Sequence, residues 1–93
     1  MLALIYTLAE DYLDRRGEFR EEHLGLARDA HERGDLALAG ALSDPFDRAL
    51  LTWHTDDRSV VEAFVAEDPY VRNGLVTAWE IRTWNVVVGS PAP

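Results

Sequence analysis

The chain of 93 residues is 47% apolar and 28% charged, too short for two cores and too apolar for disorder, so it reads as one domain spanning 1–93. It has no cysteine, which excludes disulfide frameworks, thiolate metal sites and cysteine nucleophiles. Net charge is −8, from 17 acids against nine bases that are all arginine; this argues against a nucleic-acid partner and excludes lysine Schiff-base chemistry.

Residues 2–8 (LALIYTL) read as a strand that is apolar on both faces. Leu2, Leu4, Tyr6 and Leu8 point one way; Ala3, Ile5 and Thr7 point the other. No basic residue precedes this run, and Glu10, Asp11 and Asp14 follow at once, so it does not read as a secretion signal. No apolar run approaches the roughly 18–20 residues that span a bilayer. The expectation is a cytosolic protein with no membrane partner. Residues 9–17 (AEDYLDRRG) are polar, end in Gly17 and read as a loop.

Residues 18–33 (EFREEHLGLARDAHER) read as a helix. On a wheel of about 100° per residue with Phe19 at zero, Leu26, Ala30, His23 and Ala27 fall between about 340° and 80°. Arg28 and the acids fill the opposite side, Leu24 sits off the stripe, and a histidine lies inside it. Arg33 and Gly34 close the helix, with a cation in the last turn and glycine in the left-handed cap. Residues 36–42 (LALAGAL) and 49–54 (ALLTWH) read as a strand pair joined by a turn on Asp44-Pro45, with Gly40 marking a bulge or close approach. Residues 57–67 read as a second helix with Val60, Val61, Phe64 and Val65 as its stripe and Asp57 or Ser59 as N-cap. Residues 68–74 read as a turn, 75–88 as a long last strand with Trp79 and Trp84 on opposite alternations, and 89–93 as a mobile tail.

The order β-α-β-β-α-β is that of the split βαβ, ferredoxin-like α+β fold: one antiparallel sheet with two helices on one face. The other face then needs cover, and a second copy packed sheet against sheet is the simplest source, giving a two-fold homodimer.

His23 is the leading chemical candidate. A buried imidazole must have its ring nitrogens satisfied. It is either a core histidine bonded to a carbonyl or a general acid/base facing a pocket between helix and sheet. Asp68, before Pro69 and Tyr70, is a good helix cap; its alternative role is to orient the His23 ring and hold its tautomer. Arg20, one turn before His23, reads as an ion-pair partner of neighbouring acids or as a bidentate anion binder. Arg15 and Arg16 fall in the first loop, as solvated charge or as part of a lid. Arg20, Arg15 and Tyr70 form the ligand-binding set. His31 and His54 read as ordinary. His23 and His31 stand about 80° apart on the wheel, and no HxH, HExxH or HxxxH spacing occurs, so neither a metal nor another cofactor is expected.

Two blocks carry a family resemblance. The first is Arg20-x-x-His23-Leu24, followed by Gly34-x-Leu36-x-x-Ala39-Gly40; the second is Ala66-Glu67-Asp68-Pro69-Tyr70, followed by Gly74 and the last strand. In this order and spacing the chain resembles the YCII-related (YciI-like) family of small bacterial proteins over nearly its whole length. The resemblance implies a ferredoxin-like domain of the dimeric α+β barrel group, with His23 and Asp68 as the active-site pair. Relatives in aromatic degradation, linked to dehydrochlorination or lactone chemistry, imply a lyase or hydrolase. The chain departs from the family pattern in Ala39-Gly40-Ala41, where the family has Ala-Gly-Pro, and in its short turn at 43–48.

Three functions remain open at this point. One is a small-molecule enzyme using His23 and Asp68 for acid/base chemistry; a second is a non-catalytic ligand-binding or dimerisation module with His23 as a satisfied polar core residue. A third, an acidic adaptor, rests on charge alone, and the acids form no block. The acidic balance repels anionic ligands at long range, which argues against a highly anionic substrate, though local arginines focus one. A cavity beside His23 favours the enzyme; close packing around it favours the module.

Overall fold

The structure, a computed structural model, describes residues 1–89. It contains β1 (Leu2–Leu8), α1 (Tyr12–Glu32), β2 (Leu36–Leu42), β3 (Arg48–Trp53), α2 (Arg58–Glu67), α3 (Pro69–Arg72) and β4 (Val76–Thr83). The four strands form one antiparallel sheet in the order β2-β3-β1-β4, the ferredoxin-like arrangement expected. Of the tail expected over 89–93, all but Gly89 lies outside the described residues.

β1 is central, and this explains its two apolar faces. Leu4 pairs with Leu51 on one side and Ile81 on the other, while Tyr6 pairs with Ala49 and Trp79. Leu2, Leu4, Tyr6 and Leu8 are buried and join Leu51, Trp53 and Ile81 in the core beneath the helices. α2 closes that core with Val61, Phe64 and Val65, as its stripe requires. Its N-cap is Asp57, whose carboxylate accepts from the Ser59 N–H.

Gly40 marks neither a bulge nor a close approach, since the register of β2 shifts between Leu36 and Leu38 and a Cβ at Gly40 would meet nothing within 4 Å; three expectations about element boundaries also need correction. The first helix begins at Tyr12, not at residue 18, so 9–17 is mostly helix rather than loop. Gly17 lies within it on an exposed turn where a Cβ would meet nothing within 4 Å. Glycine costs an exposed helix interior only about 1 kcal/mol, and the buried Tyr12 ring, edge-on to Tyr70 at 5.7 Å, outweighs that. Arg15 and Arg16 therefore stand on the rigid first turns of a helix, not on a lid. The last strand ends at Thr83, not at residue 88, because Thr83 pairs with Leu2 and β1 offers nothing beyond. The Trp84 N–H makes one more bond, to the Met1 carbonyl at 2.9 Å, and Trp84 is not part of the strand alternation. Lastly, the segment read as a turn at 68–74 contains α3, with Asp68 as N-cap and Pro69 at its first position.

The α1 stripe packs as drawn: Ala27 and Ala30 are buried, and Phe19 and Leu26 pack against the core. Gly34 ends the helix with φ of 86°, the left-handed cap expected. Two glycines on one helix then make opposite predictions. Gly34→Ala forces a Cβ into left-handed backbone and destabilises by about 1–2 kcal/mol. Gly17→Ala removes only backbone freedom and stabilises by about 0.5–1 kcal/mol. Urea denaturation of the two variants beside the parent measures both signs.

Candidate functional site: a buried carboxylate and a cavity

Asp68 sits where α2 gives way to α3, with none of its surface exposed. An ionised carboxylate in such a place survives only if its oxygens are fully bonded. One oxygen, Oδ2, accepts the Tyr6 hydroxyl at 2.8 Å. The other, Oδ1, lies 2.8 Å from His23 Nδ1 and 3.0 Å from the Tyr70 N–H. Residues 62 and 45 positions upstream thus meet one side chain. A carboxylate only accepts, so it fixes the His23 tautomer with the proton on Nδ1 and leaves Nε2 its lone pair. The imidazole is further held by the Tyr70 ring, stacked at 3.9 Å between centroids and within 10° of parallel.

The phenols around the carboxylate are held neutral. Burial pushes the Tyr6 hydroxyl far above its ordinary range, and the neighbouring Asp68 charge and the hydrogen bond to it push the same way. Tyr6 therefore stays a donor. Burial also raises Tyr70, with Tyr12 adding to the effect, while the Arg20 and Arg16 guanidiniums oppose it. The Tyr70 hydroxyl is buried and makes no hydrogen bond of good geometry, although Arg20 stands near enough to favour its anion.

Beside the pair opens a cavity of about 560 Å³ between α1 and the edge strand β2. It exists because small residues face each other there. Ala27 on α1 looks toward Ala39 and Ala41 on β2, and Ala41 pairs with Ala49. Its walls are mainly apolar, with Tyr6, Tyr12, Phe46 and Tyr70 at one end and Leu24, Leu36 and Leu51 further along. Tyr6, His23 and Tyr70 reach it from three elements. Its size and its few polar groups are those of a small-molecule site.

Among the residues expected to form the site, His23, Asp68 and Tyr70 come together, and Arg20 lines the same cavity. Arg15 does not line it: its guanidinium donates to the Asn73 carbonyl at 2.7 Å and lies 3.8 Å from Asp11. Its neighbour Arg16 does, with its guanidinium 5.7 Å from both the Tyr12 and Phe46 rings. Arg28 and His31 also line the cavity, although the wheel put Arg28 on the solvent side and read His31 as an ordinary helix-end residue. Tyr6 was read only as a core strand residue; the signal available was a phenol in an inward position of a central strand, where its hydroxyl must find a partner. Among the described residues no three histidine or carboxylate side chains group to hold a metal.

A ferredoxin-like sheet whose helices trap a histidine–aspartate pair beside an apolar cavity defines a class of small α+β domains. A family model for the YCII-related domain matches residues 1–85, and the chain belongs to that family. No curated protein matches it. Two of the solved structures that share its fold match over most of the chain. One is 5-chloro-2-hydroxyhydroquinone dehydrochlorinase from Burkholderia phenoliruptrix AC1100, in complex with 2,5-dihydroxybenzoquinone. It is 21% identical, with a TM-score of 0.75 over 91% of this chain and 94% of that one. The other is a NIPSNAP family protein from Agrobacterium tumefaciens strain C58, 19% identical, with a TM-score of 0.58 over 97% of this chain and 87% of that one.

Removing the Tyr6 donor isolates its part. Tyr6→Phe leaves the buried Asp68 oxygen one donor short and destabilises the fold by about 1–3 kcal/mol at neutral pH. The pH dependence follows from the raised folded-state pKa. Tyr6 stabilises fully below its unfolded value of 10.0 and loses that contribution as pH rises above it, because only the unfolded chain then releases the proton. The parent should therefore lose stability more steeply than Tyr6→Phe above about pH 10 in urea titrations.

Proposed function

We propose that the protein is a cytosolic small-molecule enzyme of the lyase or hydrolase type, with His23 as its general acid/base and Asp68 as the group that orients it. The supporting observation is that Asp68 fixes His23 Nδ1 at 2.8 Å, leaving Nε2 as the proton acceptor on a residue that lines a cavity rather than packed core. In this reading His23 Nε2 takes a proton from the bound substrate, and the imidazolium is stabilised by the carboxylate behind it. In an elimination the electron pair left on the substrate forms the new double bond, and the leaving group departs with its own pair. Arg20 and Arg16 hold an anionic oxygen of the substrate, and Tyr70 supports the imidazole face. That a dehydrochlorinase shares this fold while holding 2,5-dihydroxybenzoquinone supports a lyase acting on a hydroxylated ring.

The same proposal extends to a second copy of the chain. The sheet face away from the helices carries Leu38, 74% exposed, and Leu42, 51% exposed, beside half-buried Ile5 and Leu50. A sheet-to-sheet homodimer covers this face. Sedimentation should show a dimer that Leu38→Asp with Leu42→Asp converts to monomer; a monomeric parent refutes it.

The catalytic reading is tested with 5-chloro-2-hydroxyhydroquinone as substrate and chloride release as the readout. His23→Gln keeps an N–H donor for Asp68 but removes the base, and is expected to lower turnover by about 10²–10⁴-fold. Nitrogen NMR of the His23 ring should show the tautomer with the proton on Nδ1. Equal turnover in parent and variant, or the proton on Nε2, leaves the non-catalytic binding module as the better account.

A further inference from the structure

Six of the nine arginines divide by their surroundings; the other three, Arg58, Arg72 and Arg82, neither form an ion pair among the described residues nor line the cavity. Arg15, Arg33 and Arg48 lie 3.8, 3.3 and 3.7 Å from the carboxylates of Asp11, Asp35 and Asp47. Arg16, Arg20 and Arg28 form no ion pair among the described residues, and all three line the cavity. The chain has 17 acids, yet no aspartate or glutamate is among the cavity's lining residues. The acidic balance that repels anions at long range is thus absent from the cavity wall, where local arginines can focus one. Unpaired guanidiniums at an apolar wall are bidentate anion binders awaiting a partner.

Their placement follows a repeat. Arg20-Glu21-Glu22-His23 is followed on the same helix by Arg28-Asp29-Ala30-His31, the same Arg-x-x-His spacing eight residues later. At 1.5 Å per residue the two pairs stand about 12 Å apart along α1. Both line the cavity, with Leu24 and Ala27 between them. The catalytic reading uses only the first pair. In the second, His31 Nδ1 lies 2.8 Å from the Leu36 carbonyl. A carbonyl only accepts, so the proton is on Nδ1 and Nε2 is left for a ligand, the same tautomer that Asp68 imposes on His23. The cavity also exceeds what the first pair needs. A dry cavity of about 150 Å³ accommodates a benzene-sized ring, and this one is about 560 Å³.

We propose that Arg28 and His31 form a second anion-binding subsite in this cavity. The ligand it implies is elongated, with two acidic groups about 12 Å apart joined by an apolar segment. One group lies at Arg20 and His23; the other is held bidentately by Arg28 and contacted by the His31 ring through Nε2. The proposal rests on the His23 cavity being a ligand site, and not on His23 being catalytic.

The test is an NMR titration of the full chain with straight-chain dicarboxylates from succinate to sebacate, with acetate and 2,5-dihydroxybenzoquinone as controls. Extended sebacate spans both subsites and succinate does not. Sebacate is expected to shift the His23, Arg28 and His31 side-chain signals together and to bind at least tenfold more tightly than succinate. Arg28→Ala is expected to weaken sebacate about 10–100-fold, as loss of a charged hydrogen-bonded contact does. The exposed His31→Gln should weaken it in the same direction, and both variants should leave dihydroxybenzoquinone binding unchanged. Sebacate binding that is no tighter than succinate binding, that is unaffected by either substitution, or that shifts only the surface residues Arg33 and Arg48 overturns the subsite. If the quinone fails to bind while sebacate still shifts Arg28 and His31, the ring-directed enzyme reading fails and the subsite stands.

Discussion

The fold turns on one buried charge. Asp68 has no exposure to water, and leaving either of its oxygens without a donor costs on the order of 1–3 kcal/mol. Its three donors come from β1, α1 and the first turn of α3, and Asp68 itself ends α2 and caps α3. The carboxylate is satisfied only when strand and helices have docked in one register. A shift of β1 by one residue would turn Tyr6 to the other face of the sheet and remove the donor to Oδ2. The polar cluster thus selects one packing of the helices on the sheet, which a uniformly apolar interface would specify less sharply.

The cavity arises from the opposite tendency. Where β2 meets α1 the chain places alanine and glycine, and larger side chains at those positions would fill the gap and gain burial. That gap lies beside the one imidazole whose orientation Asp68 fixes. The Ala39-Gly40-Ala41 stretch, which departs from the family's Ala-Gly-Pro, lies in this wall. The departure therefore bears on what the cavity admits and not on how the domain folds.

Much of the architecture was legible because it depends on period. The alternation of 2–8, the stripe of 57–67 and the strand pair around Asp44-Pro45 each carried their own signal, and the β-α-β-β-α-β order followed. His23 stood out because an ionisable residue fell inside an apolar stripe. The helix-boundary errors share one physical root, which is that a helix boundary depends on tertiary contacts that local sequence does not show. Gly17 looked like a terminator, but the helix runs through it because Tyr12 beyond is buried against Tyr70. The same misplaced boundary sent Arg16 to a loop and made Arg15 and Arg16 look equivalent, when one turns to the cavity and the other to Asn73. Arg28 escaped notice because a wheel assigns faces by angle alone; a long side chain reaches past the edge of its face.

Net charge describes the whole molecule and not the cavity, for a related reason. At physiological ionic strength the Debye length is about 8 Å, so exposed acids are screened from a ligand more than a turn or two of helix away. A guanidinium against an apolar wall acts at contact, where the effective dielectric is lower and the interaction with an anion correspondingly stronger. Most of the acids sit on exposed positions, while Arg16, Arg20 and Arg28 border the cavity with no carboxylate among its walls. The sum of charges therefore describes how the molecule behaves toward other macromolecules and surfaces. What the cavity binds is set by the sign of the few groups that line it, and that sign is positive along the whole helical wall from Arg16 to Arg28.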